Sequence, residues 1–441
     1  MKKFYKLLSL ATVLSFASAN AQIEFYYSTT TSTPIKDIND NGLATSTIRY
    51  FDYNTKTFTT AETNLGVRQL NTIINSGDIT GNILIDGSTK NQPAFKAVND
   101  NWTAIGWFPE SDPARNTFTV FDQSENGKYI VGQMSLMNTD ATKTQYGSFV
   151  YNTETKMLNP IFNTTYTALA IYTVNNEGMM AGWVDDSGLN GGTRRIPCTF
   201  DQDGNITYIS DELPLVAVSD IRKMNKNGLM AGEWNGKPMI YDFTTKEKKV
   251  LTLPDDKFFV GALEDISDTG VAIGYAVTLN EYNQNVREAI IYHESFGIQV
   301  RFLKDYIIAE GGTINTSDGR LGTGLTISPN GKFMGGYDNS NIINAKGWVV
   351  KLNSSILGTN DQNSKTSAIN VYPTLVSQTL NISSDKKIQN YTIINMNGIT
   401  LKQATLNKTS DKIDVSNFSK GVYLIKIQSE NNTKTVKFIK Q

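Results

Sequence analysis

A short signature returns along most of the chain: an apolar residue, a polar stretch with Asn or Asp, a glycine, three or four mostly apolar residues, then a second glycine. It reads Ile38-Asn-Asp-Asn-Gly42, Ile74-Asn-Ser-Gly77 to Gly81, Val174-Asn-Asn-Glu-Gly178 to Gly182-Trp183, and Met224-Asn-Lys-Asn-Gly228 to Gly232. It returns in Ile266-Ser-Asp-Thr-Gly270 to Gly274-Tyr275 and Ile327-Ser-Pro-Asn-Gly331 to Gly335. Two looser copies, Ser124-Glu-Asn-Gly127 to Gly132 and Val98-Asn-Asp-Asn-Trp102 to Gly106-Trp107, bring the count to eight. Such a repeat constrains the fold strongly, because each copy builds one unit that only its neighbours can complete. The glycine supplies the positive φ of a tight hairpin turn, and the apolar residues after it form a buried strand.

A second element follows most copies, an apolar and aromatic strand with a short polar turn after it. It appears as Thr47-Ile-Arg-Tyr-Phe-Asp-Tyr53, Gly147-Ser-Phe-Val-Tyr151, Ile196-Pro-Cys-Thr-Phe200, Lys237-Pro-Met-Ile-Tyr-Asp242, Arg287-Glu-Ala-Ile-Ile-Tyr292 and Lys346-Gly-Trp-Val-Val-Lys351. Each unit then holds two hairpins, about four strands, which is the blade of a β-propeller. Residues 22–353 have room for six or seven such blades, and six clear copies of the second element favour six.

Residues 1–21 carry Lys2, Lys3 and Lys6, an apolar run from Leu7 to Ala17 and the small-x-small pattern Ala19-Asn20-Ala21. This is a secretory signal with cleavage between Ala21 and Gln22. The apolar run is much shorter than the roughly 20 residues that span a bilayer, so no transmembrane segment is expected in the mature chain. Export would pass through the inner-membrane secretion machinery. A single cysteine, Cys198, rules out an internal disulfide, and a single histidine, His293, rules out a two-His metal site.

Residues 354–367 are polar and poor in core formers and read as a linker. After it the charge changes sign. From Lys365 onward there are 11 Lys and 4 acids, a net +7, whereas residues 22–364 hold 27 cations and 38 anions, a net −11. Neither balance suggests nucleic acid as a partner of the whole. Residues 368–441 hold seven short alternating strands, with Asn397-Gly398 as a hairpin turn, and read as a small β-sandwich. The expected architecture is all-β: a six- (or seven-) bladed propeller followed by that sandwich.

Two resemblances add to this reading. The repeats of residues 22–353 resemble HAF-type extracellular repeats, for which a propeller is expected. The eponymous His-Ala-Phe is absent and Gly147-Ser148-Phe149 is its nearest match. The C-terminal module resembles the type A sorting domain of the type IX (Por) secretion system. The matching residues are Val371-Tyr372-Pro373, Leu380-Asn-Ile-Ser383, Ile394-Asn-Met-Asn-Gly398, Ile413-Asp-Val-Ser416, Lys420-Gly421-Val-Tyr423-Leu-Ile-Lys-Ile427 and Lys437-Phe438-Ile-Lys-Gln441. Thr374-Leu375 stands where that family usually has Asn-Pro. The resemblance implies a Gram-negative cell, handling by the type IX outer-membrane translocon, and a destination outside the cell or on its surface. It further implies removal of the sorting domain and attachment of the remainder to surface lipopolysaccharide.

Candidate sites are sparse. Asp37, Asn39 and Asn41, with Gly42 sixth, match half of a calcium loop, but Ile48 stands where a bidentate Glu is needed. Asp122, Ser124 and Asn126 before Gly127 repeat that half match, with Gln133 at the twelfth place. The same residues serve blade turns, so no cofactor is expected and calcium is the lesser reading. Trp107, Trp183, Trp234 and Tyr275 follow second glycines and are expected to pack between blades, with a glycan-binding surface as the alternative. His293, beside Glu294 and Ser295, is expected at a turn and not in a relay, since neighbours on a strand face opposite ways. Cys198 reads as a buried structural thiol. Asp185-Asp186 and Asp255-Asp256 read as solvated loop charge. No catalytic residue is assigned. A binding or structural propeller is the leading reading, and a glycan hydrolase using two carboxylates is the alternative. Paired carboxyls facing each other in the channel would favour the hydrolase, and an apolar or Lys-filled channel would favour binding.

Overall fold

The computed structural model describes residues 23–61, 66–84, 91–106, 119–137, 144–162, 165–166, 168–185, 194–212, 214, 218–338, 344–352, 370–372, 375–395, 399–429 and 432–440. The chain divides into two compact units, Met1–Thr359 and Asn360–Gln441. Ala21, Gln22, Trp107, Asp186, the expected linker, Pro373 and Gly398 lie outside the described residues.

The first unit is a β-propeller. It contains five separate four-stranded antiparallel sheets and one eight-stranded sheet that divides into two such units at the single parallel pair Tyr146–Ala168. The seven innermost strands are Asp37–Ile38, Val67–Ile73, Thr119–Gln123, Ala168–Val174, Asp220–Met224, Val260–Ile266 and Thr323–Ile327. Each packs on the blade that follows, and the last packs on the first, which closes the ring. Sheet faces that no single blade could cover are buried between neighbours. Ile35, Ile38 and Phe51 of the first blade, for example, form one core with Phe333 and Val349 of the seventh.

The count is seven blades and not the six that the copies of the second element favoured. The second blade was absent from the count of second elements, and its third strand is Asn91–Lys96, with Pro93 where two counted copies carry Pro197 and Pro238. The copy at Val98-Asn-Asp-Asn-Trp102 is no first-hairpin turn. It falls in the turn between Asn91–Lys96 and Thr103–Ala104, where Asp100 N–H donates to the Ala97 carbonyl. The seventh blade contains a strand that no repeat announces. Glu24–Tyr27 forms its outer edge, pairing antiparallel with Gly347–Lys351 from Glu24–Lys351 to Tyr27–Trp348.

The two glycines of the signature have different causes. The first sits at positive φ in all seven copies, from 71° at Gly127 to 92° at Gly77, where a Cβ would be strained. The second lies where the innermost strand bulges toward it: a Cβ on Gly182 would overlap the Ala170 carbonyl oxygen. That bulge recurs as a register shift between Val120 and Asp122, Ile171 and Thr173, Ile221 and Lys223, Leu263 and Asp265, and Gly324 and Thr326. A bulge re-aims the side chains next to it.

The second unit is a small β-sandwich. Two of its strands are longer than expected, because the segments at 379 and 391 join in Thr379–Asn395 and those at 399 and 412 join in Thr400–Asp414. Thr379–Asn395 pairs with Asn370–Tyr372 near its start and with Gly421–Ser429 near its end, with register shifts around Ile388 where it bends. The bend lets one strand serve both faces around a core of Leu380, Ile393, Ile413, Ile425, Ile427 and Phe438.

Candidate functional site: the propeller channel

Superposing the seven turns by their shared hydrogen bond, glycine N–H to the carbonyl three residues earlier, aligns the innermost strands residue by residue. Two places before that carbonyl stand Asp37, Thr72, Asp122, Thr173, Lys223, Asp265 and Thr326, one from each blade. This ring is stitched by its own side chains. Asp37 accepts from Ile73 N–H at 2.8 Å and from the Thr326 hydroxyl at 3.1 Å. Asp122 accepts from the Thr173 hydroxyl at 2.7 Å and Val174 N–H at 3.1 Å, and Thr173 accepts in turn from Met224 N–H at 3.1 Å. Asp265 accepts from Ile327 N–H and Ile266 N–H. The one cation, Lys223, extends two blades back to Asp122, with Nζ 2.6 Å from Oδ1.

Three carboxyls and one ammonium within a channel leave an excess of negative charge. Burial pushes Asp265 up to about 7, against the pull of Lys223, and raises Asp37 for the same reason. Lys223 moves above the ordinary lysine range, because attraction to Asp122, Asp265 and Asp37 outweighs the burial that would lower it.

The ring separates two cavities. On the side of the first-hairpin turns lies a small one of about 70 Å³. Its rim is built from the turns, which also latch blade to blade: Asp40 N–H donates to Asn75 Oδ1, Asn75 N–H to Glu125, Asn126 N–H to Asn176 Oδ1, Lys226 N–H to Asp268 and Asn330 N–H to Asp40. On the side where the innermost strands enter lies a larger cavity of about 310 Å³. It is walled by the residues one place before the ring: Lys36, Asn71, Phe121, Tyr172, Arg222, Glu264 and Leu325.

Arg222 is the hub of that wall. It bonds to Asp220 at 2.9 Å, to Glu233 at 2.9 Å and to Glu264. Burial raises Glu233 to about 7, opposed by Arg222, and Glu233 Oε1 has no hydrogen-bond partner. Phe121 and Tyr172 meet edge to face at 4.9 Å on the adjoining blades. Of the ring and its wall, sequence reasoning singled out only Asp37 and Asp122. For the rest, the signal lies two and three places before the residue whose carbonyl the turn glycine bonds, but the residue types differ from blade to blade.

The residues singled out in the sequence lie as follows. Asp37 belongs to the ring, and Asn39 Oδ1 accepts from Asn41 N–H and Leu43 N–H while its amide donates to the Ile74 carbonyl. Asn126 Oδ1 likewise accepts from Lys128 N–H and the Ser124 hydroxyl. Among the described residues no group of three His, Cys, Asp or Glu is placed to hold a metal ion. Trp183, Trp234 and Tyr275 are buried, each under a cation: Arg195 at 4.4 Å, Lys248 at 3.4 Å and Arg287 at 3.9 Å from the ring centroid. Cys198 is buried, and burial pushes its thiol up. Asp255 Oδ1 caps a turn by accepting from Lys257 N–H. His293 lies at a turn. The chain leaves the strand at Tyr292, and His293 caps the short 3-10 helix Glu294–Phe296 with Nδ1 2.9 Å from Ser295 Oγ.

In the second unit Tyr423 is buried, donates its hydroxyl to the Ser419 carbonyl at 2.7 Å and stacks on fully buried Phe438 at 5.5 Å. Gly421 and Lys437 sit in the paired strands beside them, opposite Lys440 and Leu424, while Tyr372 is exposed.

Residues 370–441 match the secretion system C-terminal sorting domain, so the chain carries the export address of the type IX system, which directs proteins to the cell surface or beyond in Bacteroidetes. Among solved structures the chain is similar to PorZ of Porphyromonas gingivalis, an essential bacterial surface component of the type IX secretion system. The identity is 11%, covering 92% of this chain and 51% of that one, with a TM-score of 0.29. It is also similar to the GH74 enzyme of Niastella koreensis, at 11% identity over 73% of this chain and 43% of that one with a TM-score of 0.44. Dipeptidyl peptidase 4 of Porphyromonas gingivalis gives 9% identity, 80% and 64% coverage, and a TM-score of 0.41. The chain spans about half the length of the first of these. At such scores none of them informs on activity. No curated protein sequence matches the chain. No helix among the described residues is long and apolar enough to cross a membrane.

Proposed function

We propose that this is a propeller of the HAF-like extracellular kind with a binding role, delivered by the type IX translocon to the cell surface or the medium. On delivery the sorting domain is removed and the remainder is joined to surface lipopolysaccharide. The observation that carries the binding role is the channel: Lys223 reaches across it to pair with Asp122, while Asp37, Asp122 and Asp265 are engaged by backbone N–H groups of their neighbours. Carboxyls so engaged hold the ring together and are not presented in pairs to a glycosidic bond. The ligand enters from the side of the larger cavity, whose walls mix aromatic rings with hydrogen-bonding groups in the manner of small-molecule sites.

The test applies the purified full-length protein to an array of bacterial and plant polysaccharides, with reducing-sugar release measured in parallel. Retention without release supports the binding role. Release that is abolished by Glu233→Gln or Glu264→Gln replaces it with the hydrolase reading. Export is tested separately: without residues 367–441 the protein should accumulate in the periplasm, and its continued arrival at the surface would refute the route.

A further inference from the structure

The larger cavity is specific about what it can hold. At about 310 Å³ it stands at the small end of ligand sites, which run from about 300 to 1,000 Å³. Its charged lining is already engaged, Arg222 with Glu264, Lys223 with Asp122, Lys36 with Asn71, and Asp37 and Asp265 with backbone N–H groups. A wall whose charged groups already have partners offers little to a free ion and favours a neutral guest.

The polar groups are set in place before any ligand arrives. Asn71 Oδ1 accepts from Lys36 Nζ at 2.9 Å and from Gln69 Nε2 at 2.8 Å, which fixes the amide's orientation. Its Nδ2 is left with no partner, although the residue is only 8% exposed. A buried donor without an acceptor is costly, on the order of 1–3 kcal/mol, and is tolerated where a ligand supplies the acceptor. Lys36 Nζ uses two of its three protons, on the Leu70 carbonyl and Asn71. Donors thus come from the first and second blades. Acceptor capacity comes from the Glu264 carboxylate on the sixth, and Phe121 and Tyr172 on the third and fourth supply an aromatic wall between them.

A guest that accepts on one side, donates on the other, lies against aromatic rings and carries no charge is a sugar ring, whose hydroxyls do both and whose C–H face is apolar. Building on the binding role proposed above, we infer that the cavity walled by Asn71, Tyr172 and Glu264 is a subsite for one neutral pyranose unit of a glycan.

The experiment is saturation-transfer NMR and titration of the full-length protein with methyl β-glucopyranoside, methyl α-mannopyranoside and methyl β-N-acetylglucosaminide. Methyl glucuronide serves as the anionic comparator and glucosamine as the cationic one. At least one neutral glycoside is expected to bind about tenfold or more tightly than both charged sugars. Asn71→Leu and Tyr172→Ala should each weaken it about tenfold, and Tyr172→Phe should keep most of the affinity. Thermal unfolding of each variant checks that the propeller remains folded, and Phe121→Ala replaces any variant that does not. Failure of every neutral glycoside to bind at about 10 mM overturns the subsite, as does binding indifferent to these substitutions. If the polysaccharide array still retains the protein in that event, the binding role stands and only the subsite falls. If the array retains nothing, both fall.

Discussion

Lys223 of the fifth blade donates to Asp122 of the third, Nζ to Oδ1 at 2.6 Å, across the interior of the channel and past the intervening Thr173. The pair ties together blades that are not neighbours, which makes it a cross-brace of the ring. Removing one partner leaves the other charge buried, at a cost of about 3–5 kcal/mol. Lys223→Met is therefore expected to lower stability by that amount in urea denaturation. Asp122→Asn added to it should restore most of the loss, since Asn keeps an acceptor for Thr173 and Val174. A double variant no more stable than the single one would show that the brace is not what holds the ring.

Stability should depend on pH through the buried carboxyls. Asp265 and Glu233 are each raised to about 7, and Glu125 on the turn side is raised likewise, all chiefly by burial. Between their ordinary values near 4 and about 7, the folded protein holds protons that the unfolded chain has released. By linkage, stability then falls as pH rises through that window and the loss is complete above it. The unfolding midpoint is expected to drop between pH 5 and pH 8, and Asp265→Asn with Glu233→Gln should flatten the slope. A midpoint that rises over the same range would contradict the burial of these groups.

Gly182→Ala places a Cβ against the Ala170 carbonyl oxygen, which belongs to the neighbouring strand's backbone and cannot swing away. The expected cost is about 1–3 kcal/mol or somewhat more, as for other overpacked interiors. Ala at Gly311, which has a positive φ and open space around an added Cβ, tests positive φ alone and should cost less.

Phe438→Ala removes a fully buried ring from the sorting domain's core and from its stack on Tyr423. About 3–5 kcal/mol should be lost from that unit. Pulse-chase fractionation is expected to find less protein at the cell surface and more in the periplasm. Tyr423→Phe removes only the hydrogen bond to the Ser419 carbonyl and should cost about 0.5–1.5 kcal/mol, leaving export nearly intact.

The repeat made the propeller legible because glycine's demands are local: Gly42, Gly178 and Gly228 mark turns at positive φ wherever they occur. The sorting domain was legible because Tyr423, Gly421 and Phe438 keep a fixed order over a short stretch. The channel was not. Its ring mixes Asp, Thr and Lys at equivalent places, so no residue type repeats, and only closure of the sheet order brings Asp37 and Thr326 together. His293 and Ser295 meet because the strand ends at Tyr292, where its apolar pattern ends, and the chain turns into Glu294–Phe296. Asn71 was hidden for a related reason, since the second blade's register shift spans Leu70 to Ile73 and blurs the alternation around it.

The edge strand Glu24–Tyr27 carries a consequence for how the molecule is made. Its partner, Gly347–Lys351, is the last strand of the propeller to be synthesised. A chain emerging from the ribosome has the two parts of its seventh blade far apart in sequence and no means of joining them early. Until translation is nearly finished every nascent propeller is an open arc with raw edges. The ring therefore closes only after its first and its last strands have both been made.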